Sequence, residues 1–482
     1  MINGKLIARI IGFLLNIIAL FLLICALTSF LYKETACLAF LYSALINCVI
    51  GWCLIFYGWK AEKKFSLRDG YLVVVSTWTL CSFAGTLPFM IGGYVPSWSD
   101  AFFECMSAFT GTGMSCIKDI DSLPHSILIW RALMQWIGGL GIIFFTIALL
   151  PLFGVTGVQL FAAEASGPVK DKLHPRIGVT SRRIWTLYIV LTLLETALLQ
   201  LGGMPFFDSL CHSLSTTATG GFSTHQAGMA LYDSAYIQYV ISAFMFLSGL
   251  NFITMFLIIS GHKRRLAQSD EIRWYTTSTL IATLCIAAAL VFLSDRDVES
   301  AIRSAFFHVT SIHTSTGFNT EDLNSWPSCT WIIILFLMMS GACSGSTSGG
   351  VKCIRFVILF RALQNEFRRI IHPNAILPLR IGSNSLPTQV ILTSILLIFL
   401  FILGNTLFSF ILMESGYSGI GSISFSLSCF GNTGMALGEF SIGAGTILTP
   451  TLKWVSSFAM LLGRLELFTV LLLFTPQFWR GQ

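Results

Sequence analysis

Long runs of apolar residues limit this chain more than any other feature of its sequence. Residues 10–32 and 274–293 each lack a charged side chain, and about twenty such residues in a helix span the roughly 30 Å of bilayer hydrocarbon. The mean hydropathy of the 482-residue chain is +0.77, and only 11% of its residues are charged, against roughly 25% in soluble domains. The sequence therefore predicts an integral membrane protein. The first run is too long for a signal peptide and is predicted to stay as a helix.

The apolar runs predict ten spanning helices, at residues 10–32, 36–59, 71–94, 126–152, 184–203, 234–261, 274–293, 329–360, 389–413 and 450–474. Most of the 29 lysines and arginines lie in alternate connections or near the termini. The positive-inside rule places that side, with both termini, in the cytoplasm. The net charge of +6 therefore indicates orientation, and no nucleic-acid module is predicted.

Four short segments on the other side are too weakly apolar and too short to span a membrane. They cover residues 99–109, 207–217, 299–313 and 420–430, and we expect each to enter and leave from the outside. Aligned on the glycine that follows, the four segments form an internal repeat. The aligned glycines are Gly113, Gly221, Gly317 and Gly434, and the serines six residues earlier are Ser107, Ser215, Ser311 and Ser428.

The repeat predicts the fold class: an all-α polytopic membrane protein in which four pseudo-symmetric units surround a central pore. Each unit reads as helix, pore helix, filter loop and helix. The predicted boundaries are 1–67 for two extra N-terminal transmembrane helices and 68–165, 166–265, 266–380 and 381–482 for the four pore units.

The four repeated loops consist mainly of small residues, as a narrow ring of backbone requires. Non-helical backbone at membrane depth is tolerated where it is buried or lines water, and its carbonyls can replace the hydration shell of a cation. Because the loops contain no acidic residue, we expect a monovalent ion, potassium, bound by carbonyls alone. In any one loop, the glycine could simply end a helix. The filter residues are Thr110, Gly111, Thr112, Gly113, Ala218, Thr219, Gly220, Gly221, Thr314, Ser315, Thr316, Gly317, Gly431, Asn432, Thr433 and Gly434.

Ten small residues interrupt the predicted helix at 329–360. They are Gly341, Ala342, Cys343, Ser344, Gly345, Ser346, Thr347, Ser348, Gly349 and Gly350, and no stable helix is expected there. The segment could be a flexible loop beneath the filter or a patch of close helix packing. A remote alternative is an intramembrane serine hydrolase, with Ser344 as nucleophile and a base among His212, His308 and His313.

Arg464 lies deep in the last predicted helix, where a charge is costly. Its neighbour Glu466 faces elsewhere on a helix, so Arg464 either pairs with another group or serves the pore.

The thirteen cysteines have no metal-ligand spacing, and the sequence carries no nucleotide-binding motif. No organic cofactor is therefore expected.

The chain resembles the Trk, Ktr and HKT superfamily of potassium transporters, and within it the bacterial potassium uptake subunits. The resemblance covers almost the whole chain. It is carried by residues 100–114 (DAFFECMSAFTGTGM), 212–225 (HSLSTTATGGFSTH), 341–355 (GACSGSTSGGVKCIR) and 463–480 (GRLELFTVLLLFTPQFWR).

The resemblance implies potassium uptake across the bacterial inner membrane. It also implies that residues 341–350 gate the pore, that Arg464 is a positive barrier within it, and that the chain forms a homodimer surrounded by membrane lipid. A separate cytosolic nucleotide-binding ring of the TrkA type is the implied regulator, docked on basic loops around 164–183 and 352–380. Proton- or sodium-coupled symport is an alternative, although the sequence offers no evident pair of intramembrane carboxylates.

Overall fold

The computed structural model describes residues 2–61, 66–141, 177–261, 269–375, 377–382, 384–441 and 448–480. Within these residues, six helices are long and apolar enough to cross a membrane, or eight spans if each of two bent helix pairs counts as one. The chain is accordingly an all-α polytopic membrane protein. The end of the predicted helix at 126–152 and the basic loop around 164–176 lie outside the described residues.

The described α-helices include long spans and short segments. In chain order they are α1 (Gly4–Leu31), α2 (Cys37–Tyr57), α3 (Leu67–Ile91), α4 (Trp98–Thr110), α5 (His125–Gly139), α6 (Ile177–Leu201), α7 (Phe206–Thr217), α8 (Ala235–Ser248), α9 (Phe252–Ile259), α10 (Asp270–Ser294), α11 (Val298–His313), α12 (Ser328–Met339), α13 (Cys353–Ile371), α14 (Thr388–Glu414), α15 (Gly419–Gly431), α16 (Pro450–Arg464), α17 (Phe468–Leu471) and α18 (Pro476–Trp479).

Strands in the described part of the chain are limited to two small pairs. The strands β1 (Ser340–Gly341) and β2 (Val351–Lys352) pair in parallel and bracket the predicted interruption. The strands β3 (Arg380–Ile381) and β4 (Asn384–Ser385) form an antiparallel pair before α14. The expectation that no helix continues through residues 341–350 is confirmed.

Two spans predicted as continuous are broken. The predicted helix at 234–261 divides into α8 and α9, which meet at 104°. The helix at 450–474 ends at Arg464, and the next helical segment continues at 110° to it. Apolar periodicity did not indicate either break, because long apolar stretches continue on both sides of Asn251 and of Arg464 and tertiary contacts turn the backbone.

The four predicted short segments form separate helices, α4, α7, α11 and α15. Each is mostly buried and is followed by its glycine-bearing loop. Two of them begin at a side-chain cap, because Asp297 accepts a hydrogen bond from Glu299 N and Ser418 accepts one from Gly421 N. The helices are thus independent elements rather than ends of the long spans.

The N-terminal hairpin of α1 and α2 is fastened to the rest of the chain at both ends. At one end, Asn3 N donates a 2.8 Å hydrogen bond to Asp69 Oδ1, and Asp69 forms a capping box with Ser66 at the start of α3. At the other end, Glu34 accepts hydrogen bonds from the backbone N–H groups of His125 and Ser126 at 2.6 and 3.1 Å. The carboxylate of Glu34 therefore caps α5 from another element.

Replacing Glu34 with glutamine should weaken this attachment. Burial alone would raise the pKa of the Glu34 carboxyl, but hydrogen bonds from Ser126 and His125 outweigh burial and lower it from its ordinary value of 4.5. A carboxylate of this kind stabilises the fold above its ordinary pKa and loses that contribution as the pH falls through the lowered pKa. At neutral pH we expect Glu34→Gln to lower the free energy of unfolding by about 1 kcal/mol.

Thermal melting of the detergent-solubilised protein over a range of pH measures this effect. The difference between wild type and Glu34→Gln should shrink as the buffer is taken well below pH 4.5. A difference that stays constant over the whole pH range would contradict the capping role.

The candidate ion pathway

All four pore helices end in the same local conformation. The residue two positions before each aligned glycine has a left-handed backbone, with φ of 70° at Gly111, 52° at Thr219, 55° at Ser315 and 51° at Asn432. This turn brings the next N–H group back to the carbonyl of the repeated serine. The N–H···O distances are 2.9 Å for Thr112 to Ser107, 2.8 Å for Gly220 to Ser215, 2.8 Å for Thr316 to Ser311 and 3.0 Å for Thr433 to Ser428. The repeated spacing in the sequence is thus the spacing of a repeated helix end.

The four loops close into a ring in chain order. The aligned glycines have φ between 79° and 88°, and a Cβ added at any of them would collide with a backbone carbonyl of the next loop. The Gly220 carbonyl lies against Gly113, the Thr316 carbonyl against Gly221, the Thr433 carbonyl against Gly317, and the Thr112 carbonyl against Gly434. The last contact joins the fourth loop back to the first, so four backbones converge at one level.

Contacts between the first and fourth repeats complete the closure. Asn432 Nδ2 donates a 2.9 Å hydrogen bond to Thr112 Oγ1, and Lys453 Nζ lies 2.6 Å from Asp100 Oδ1. Hydroxyls within single loops are also paired, as Thr110 with Thr112 at 2.8 Å and Thr314 with Thr316 at 2.7 Å. The structure therefore brings together all sixteen residues predicted for the filter.

Gln135 in α5 supports the second loop and was not identified from the sequence. Its Nε2 donates to the Gly220 carbonyl at 2.7 Å, and its Oε1 accepts from Ser215 Oγ at 2.6 Å. Phe222 N also donates to Oε1, at 3.2 Å. A single amide in an apolar helix is usually an interhelical hydrogen bond, and nothing in the local sequence indicates that its partner is the filter.

The interrupting loop, residues 341–350, lies against the ring. Gly349 N donates a 2.5 Å hydrogen bond to Ser315 Oγ in the third loop. Thr347 Oγ1 donates to the carbonyl of Thr217 at 3.2 Å, at the end of α7. The interrupting loop is thus hydrogen-bonded to the third loop of the ring and to the end of α7.

Three polar side chains anchor this loop from outside it or at its end. Asn251 lies at the break between α8 and α9, where it caps α9 and donates from Nδ2 to Ser344 O at 2.6 Å. Glu271 Oε1 accepts from Ser344 N at 2.5 Å. Lys352 Nζ donates to the Ser348 carbonyl. Asn251 was not identified as a contact of this loop from the sequence, because isolated polar residues in apolar helices look alike whatever they contact.

Arg464 is positioned between the loop and the first unit. Its Nη1 donates to the Thr347 carbonyl at 2.8 Å, and its Nη2 donates to the Gly138 and Gly139 carbonyls at 2.6 and 2.7 Å. Nη1 also lies 3.9 Å from where a Cβ on Gly111 would stand. The guanidinium is therefore close to both the ring of four loops and the interrupting loop. Glu466, as expected, bonds elsewhere, with Arg355 of α13.

The hydrolase alternative finds no support in this geometry. The ring nitrogens of His212 face the Asp208 carbonyl and Ser223 Oγ, at 2.8 and 3.0 Å. Those of His313 face Thr279 Oγ1 at 2.9 Å and Cys353 Sγ at 3.7 Å. His308 accepts from Thr320 N and faces the Ser304 carbonyl. Each imidazole is therefore engaged in contacts that hold its own repeat together.

Spanning helices that enclose a ring of short helices and extended loops define a membrane protein of the pore-loop class. The family model TrkH, described as a cation transport protein, matches residues 39–480. The chain belongs to this family, which confirms the resemblance stated from its sequence. Since the family consists of transport proteins, the hydrolase alternative is wrong.

Individual relatives match this chain over almost their full length. The chain is 35% identical to the Trk system potassium uptake protein TrkH of Salmonella typhimurium, over 98% of this chain and 99% of the relative. It is 32% identical to TrkG of Escherichia coli, over 99% of both chains. The crystal structure of the potassium transporter TrkH from Vibrio parahaemolyticus superposes with a TM-score of 0.89, at 33% identity and 99% coverage of both chains.

Substituting alanine for a ring glycine tests the convergence of the loops. Gly113 and Gly93 both have positive φ, +82° and +70°, but a Cβ at Gly113 meets the Gly220 carbonyl whereas one at Gly93 meets nothing within 4 Å. Both substitutions carry left-handed strain of roughly 1–2 kcal/mol. Only Gly113→Ala should abolish cation flux into proteoliposomes, while Gly93→Ala should keep it. Equal flux in the two variants at equal folded yield would show that the close approach is unimportant.

Proposed function

We propose that this chain is the ion-conducting subunit of a potassium uptake system, with the ring of four loops as its selectivity filter. The observation that carries the proposal is the ring closure, in which each aligned glycine abuts the backbone of the next loop. The relatives' shared name, Trk system potassium uptake protein, supports potassium as the cargo. The division into an N-terminal pair of helices, 1–67, and four pore units, 68–165, 166–265, 266–380 and 381–482, is part of the proposal.

Backbone oxygens are the proposed ligands of the ion. A ring of carbonyls can replace the hydration shell of potassium, and the sixteen loop residues include no carboxylate. A neutral oxygen ring favours a monovalent ion, since a divalent ion would lose more hydration energy than neutral ligands return. The pore helices also end beside the ring, where the negative ends of their dipoles favour a cation. Potassium is then the only ligand, and no organic cofactor takes part.

We assign gating to residues 341–350 and an electrostatic barrier to Arg464. The loop meets the ring through Ser315 and Thr217, so a displacement of a few ångströms would open the space beneath the filter. Such a movement exchanges a small set of hydrogen bonds rather than refolding a helix. Arg464 donates to the Thr347 carbonyl, and its fixed positive charge near the ring opposes the passage of cations. Barrier and gate are thus in direct contact.

Ion-coupled symport, driven by protons or sodium, is the second candidate function. The residue that favours it is Glu195, which is 0% exposed in α6. Its Oε2 accepts a hydrogen bond from Thr217 Oγ1 at 3.4 Å, and Thr217 is the last residue of α7, beside the second loop. An ionisable group buried at membrane depth is a candidate for proton coupling.

The surroundings proposed for the chain follow from the family and from charge. We infer a multi-pass protein of the bacterial inner membrane with both termini in the cytoplasm. We also infer a homodimer and a separate cytosolic nucleotide-binding ring as regulator. Helix α13 supports a docking role, because Arg368 and Arg369 are exposed in its last turn. The other predicted docking loop, around 164–183, lies largely outside the described residues.

Single-channel recording of the purified protein in planar bilayers tests the proposal. Unitary currents that reverse near the potassium equilibrium potential, in opposed potassium and sodium gradients, are expected. Flux that requires a pH or sodium gradient and gives no unitary currents would favour symport. If the protein failed to restore growth of a potassium-transporter-deficient bacterium on low potassium, both the channel and the symport proposals would be overturned.

Substitutions of Arg464 separate the barrier from the gate. Arg464→Ala removes both the charge and the bond to Thr347, so we expect a larger unitary current and a longer open time. Arg464→Lys keeps the charge but loses the two separate nitrogens that reach Thr347 on one side and Gly138 and Gly139 on the other, so the current should stay near wild type while the open time still increases. Reduced current in Arg464→Ala at normal expression would contradict the barrier.

A further inference from the structure

One position in the pore helices connects each helix to the chain beyond its filter loop. Nine residues before the aligned glycine stand Glu104, His212, His308 and Phe425. The three polar members all reach the segment that follows their own glycine. His212 Nε2 lies 3.0 Å from Ser223 Oγ, and His308 Nε2 accepts from Thr320 N at 3.4 Å. The contact spans the outer end of the loop and fixes it to the pore helix.

In the fourth unit the same connection is made by the preceding residue. Phe425 has no polar atom in its side chain, and Ser424 Oγ accepts a 2.9 Å hydrogen bond from Leu437 N instead. Leu437 is the third residue after its glycine, as Thr320 is in the third unit. A side-chain hydrogen bond from the pore helix to the residues just after the aligned glycine is therefore present in all four units, although the side chains differ. We call this bond the strut and the residues after the glycine the loop exit.

The strut of the first unit is charged and completely buried. Glu104 is 0% exposed, and its carboxylate accepts from Ser115 Oγ at 3.0 Å and from Cys116 N at 3.1 Å. Arg131 Nε of α5 donates to the same carboxylate at 2.9 Å. Three donors from two elements thus converge on one carboxylate directly behind the exit of the first loop.

Arg131 extends this contact to the second unit. It is 1% exposed, its Nη1 donates to the Ser223 carbonyl at 3.1 Å, and its Nη2 donates to Ser115 Oγ at 3.3 Å. Its guanidinium also lies 4.1 Å from the centre of the Phe222 ring. Phe222 and Ser223 directly follow Gly221, so one side chain holds the exits of two adjacent loops.

The cost of this arrangement indicates that it does more than stabilise the fold. A buried ion pair gains little stability over apolar residues of the same size, because both charges lose their hydration. Its planar, multiply bonded geometry does restrict how its partners can move. Ion discrimination by carbonyl oxygens depends on their spacing or field, and a relaxed loop exit would alter both.

We propose that Glu104 and Arg131 are selectivity-determining positioning residues, which hold the outer ends of the first two filter loops at the spacing that favours potassium over sodium. The proposal rests on the proposed function, since it concerns the same filter. Neither side chain touches the ion. They act through Ser115, Cys116 and Ser223, whose backbone continues directly from the ring.

Glu104→Gln is the most direct test, because it keeps the shape of the side chain and removes its charge. One amide oxygen cannot serve three donors, and the amide N–H groups repel Arg131. We expect the potassium-to-sodium permeability ratio to fall about tenfold, equivalent to about 1.4 kcal/mol and close to the value of one charged hydrogen bond. Unitary potassium conductance should change much less. Reversal potentials in potassium and sodium gradients give the ratio.

Two further variants keep the test decisive if Glu104→Gln fails to fold. Ser115 is exposed, so Ser115→Ala should fold normally while removing a contact to both charged partners, and it should lower the ratio in the same direction by a smaller factor. Arg131→Lys keeps the charge but loses the fork that reaches Ser223, and it should give an intermediate ratio. Size-exclusion profiles verify folding in each case.

Glu34→Gln is the matched control, because Glu34 caps the helix that carries Arg131 but contacts no filter residue among its described partners. Its permeability ratio should equal that of the wild type. Folded Ser115→Ala and Arg131→Lys with wild-type ratios would overturn the positioning role. A wild-type protein that passes no potassium would instead overturn the proposed function, so the two failures are distinguishable.

Discussion

Satisfaction of backbone hydrogen bonds inside the membrane is the constraint on which this structure depends. Extended backbone cannot face lipid, because each unsatisfied carbonyl or amide there costs several kcal/mol. The described part of the chain has four such loops, one interrupting loop and two helix breaks. Side chains complete the bonding that helices would otherwise provide, as Gln135 does for Gly220, Asn251 for Ser344 and Arg464 for Thr347. The long apolar helices surround these polar groups and separate them from lipid.

The parts of the site that could be predicted from sequence are those set by local geometry. A pore helix that ends in a left-handed residue returns an N–H group to a carbonyl five residues earlier in the chain, so the serine and the glycine keep a fixed spacing in every repeat. That spacing, the four short helices and the non-helical segment at 341–350 were all predicted correctly. Each depends on residues within one turn or one loop.

The remainder depends on contacts between residues far apart in the chain. Glu104 and Arg131 lie in different helices, 27 residues apart in the chain, and only the fold shows that they meet. The break between α8 and α9 is stabilised by the interrupting loop, since Phe252 N donates to the Gly345 carbonyl at 3.2 Å. The sequence around residue 250 contains no proline, and the polar or small residues Ser248, Gly249 and Asn251 lie between two apolar stretches. The length of the apolar run therefore favoured the continuous helix that was predicted, because a single glycine or asparagine is tolerated within a span.

The order of the loops around the ring also bears on how such a protein is synthesised. The contacts that complete the ring, Asn432 with Thr112 and Lys453 with Asp100, join the fourth repeat to the first. Because a nascent polypeptide emerges from its N-terminus, three repeats are in the membrane before the fourth exists. Until then the ring stays open on one side. A closed ring thus requires that the fourth repeat be synthesised, and a ribosome that stalls before it leaves the ring incomplete.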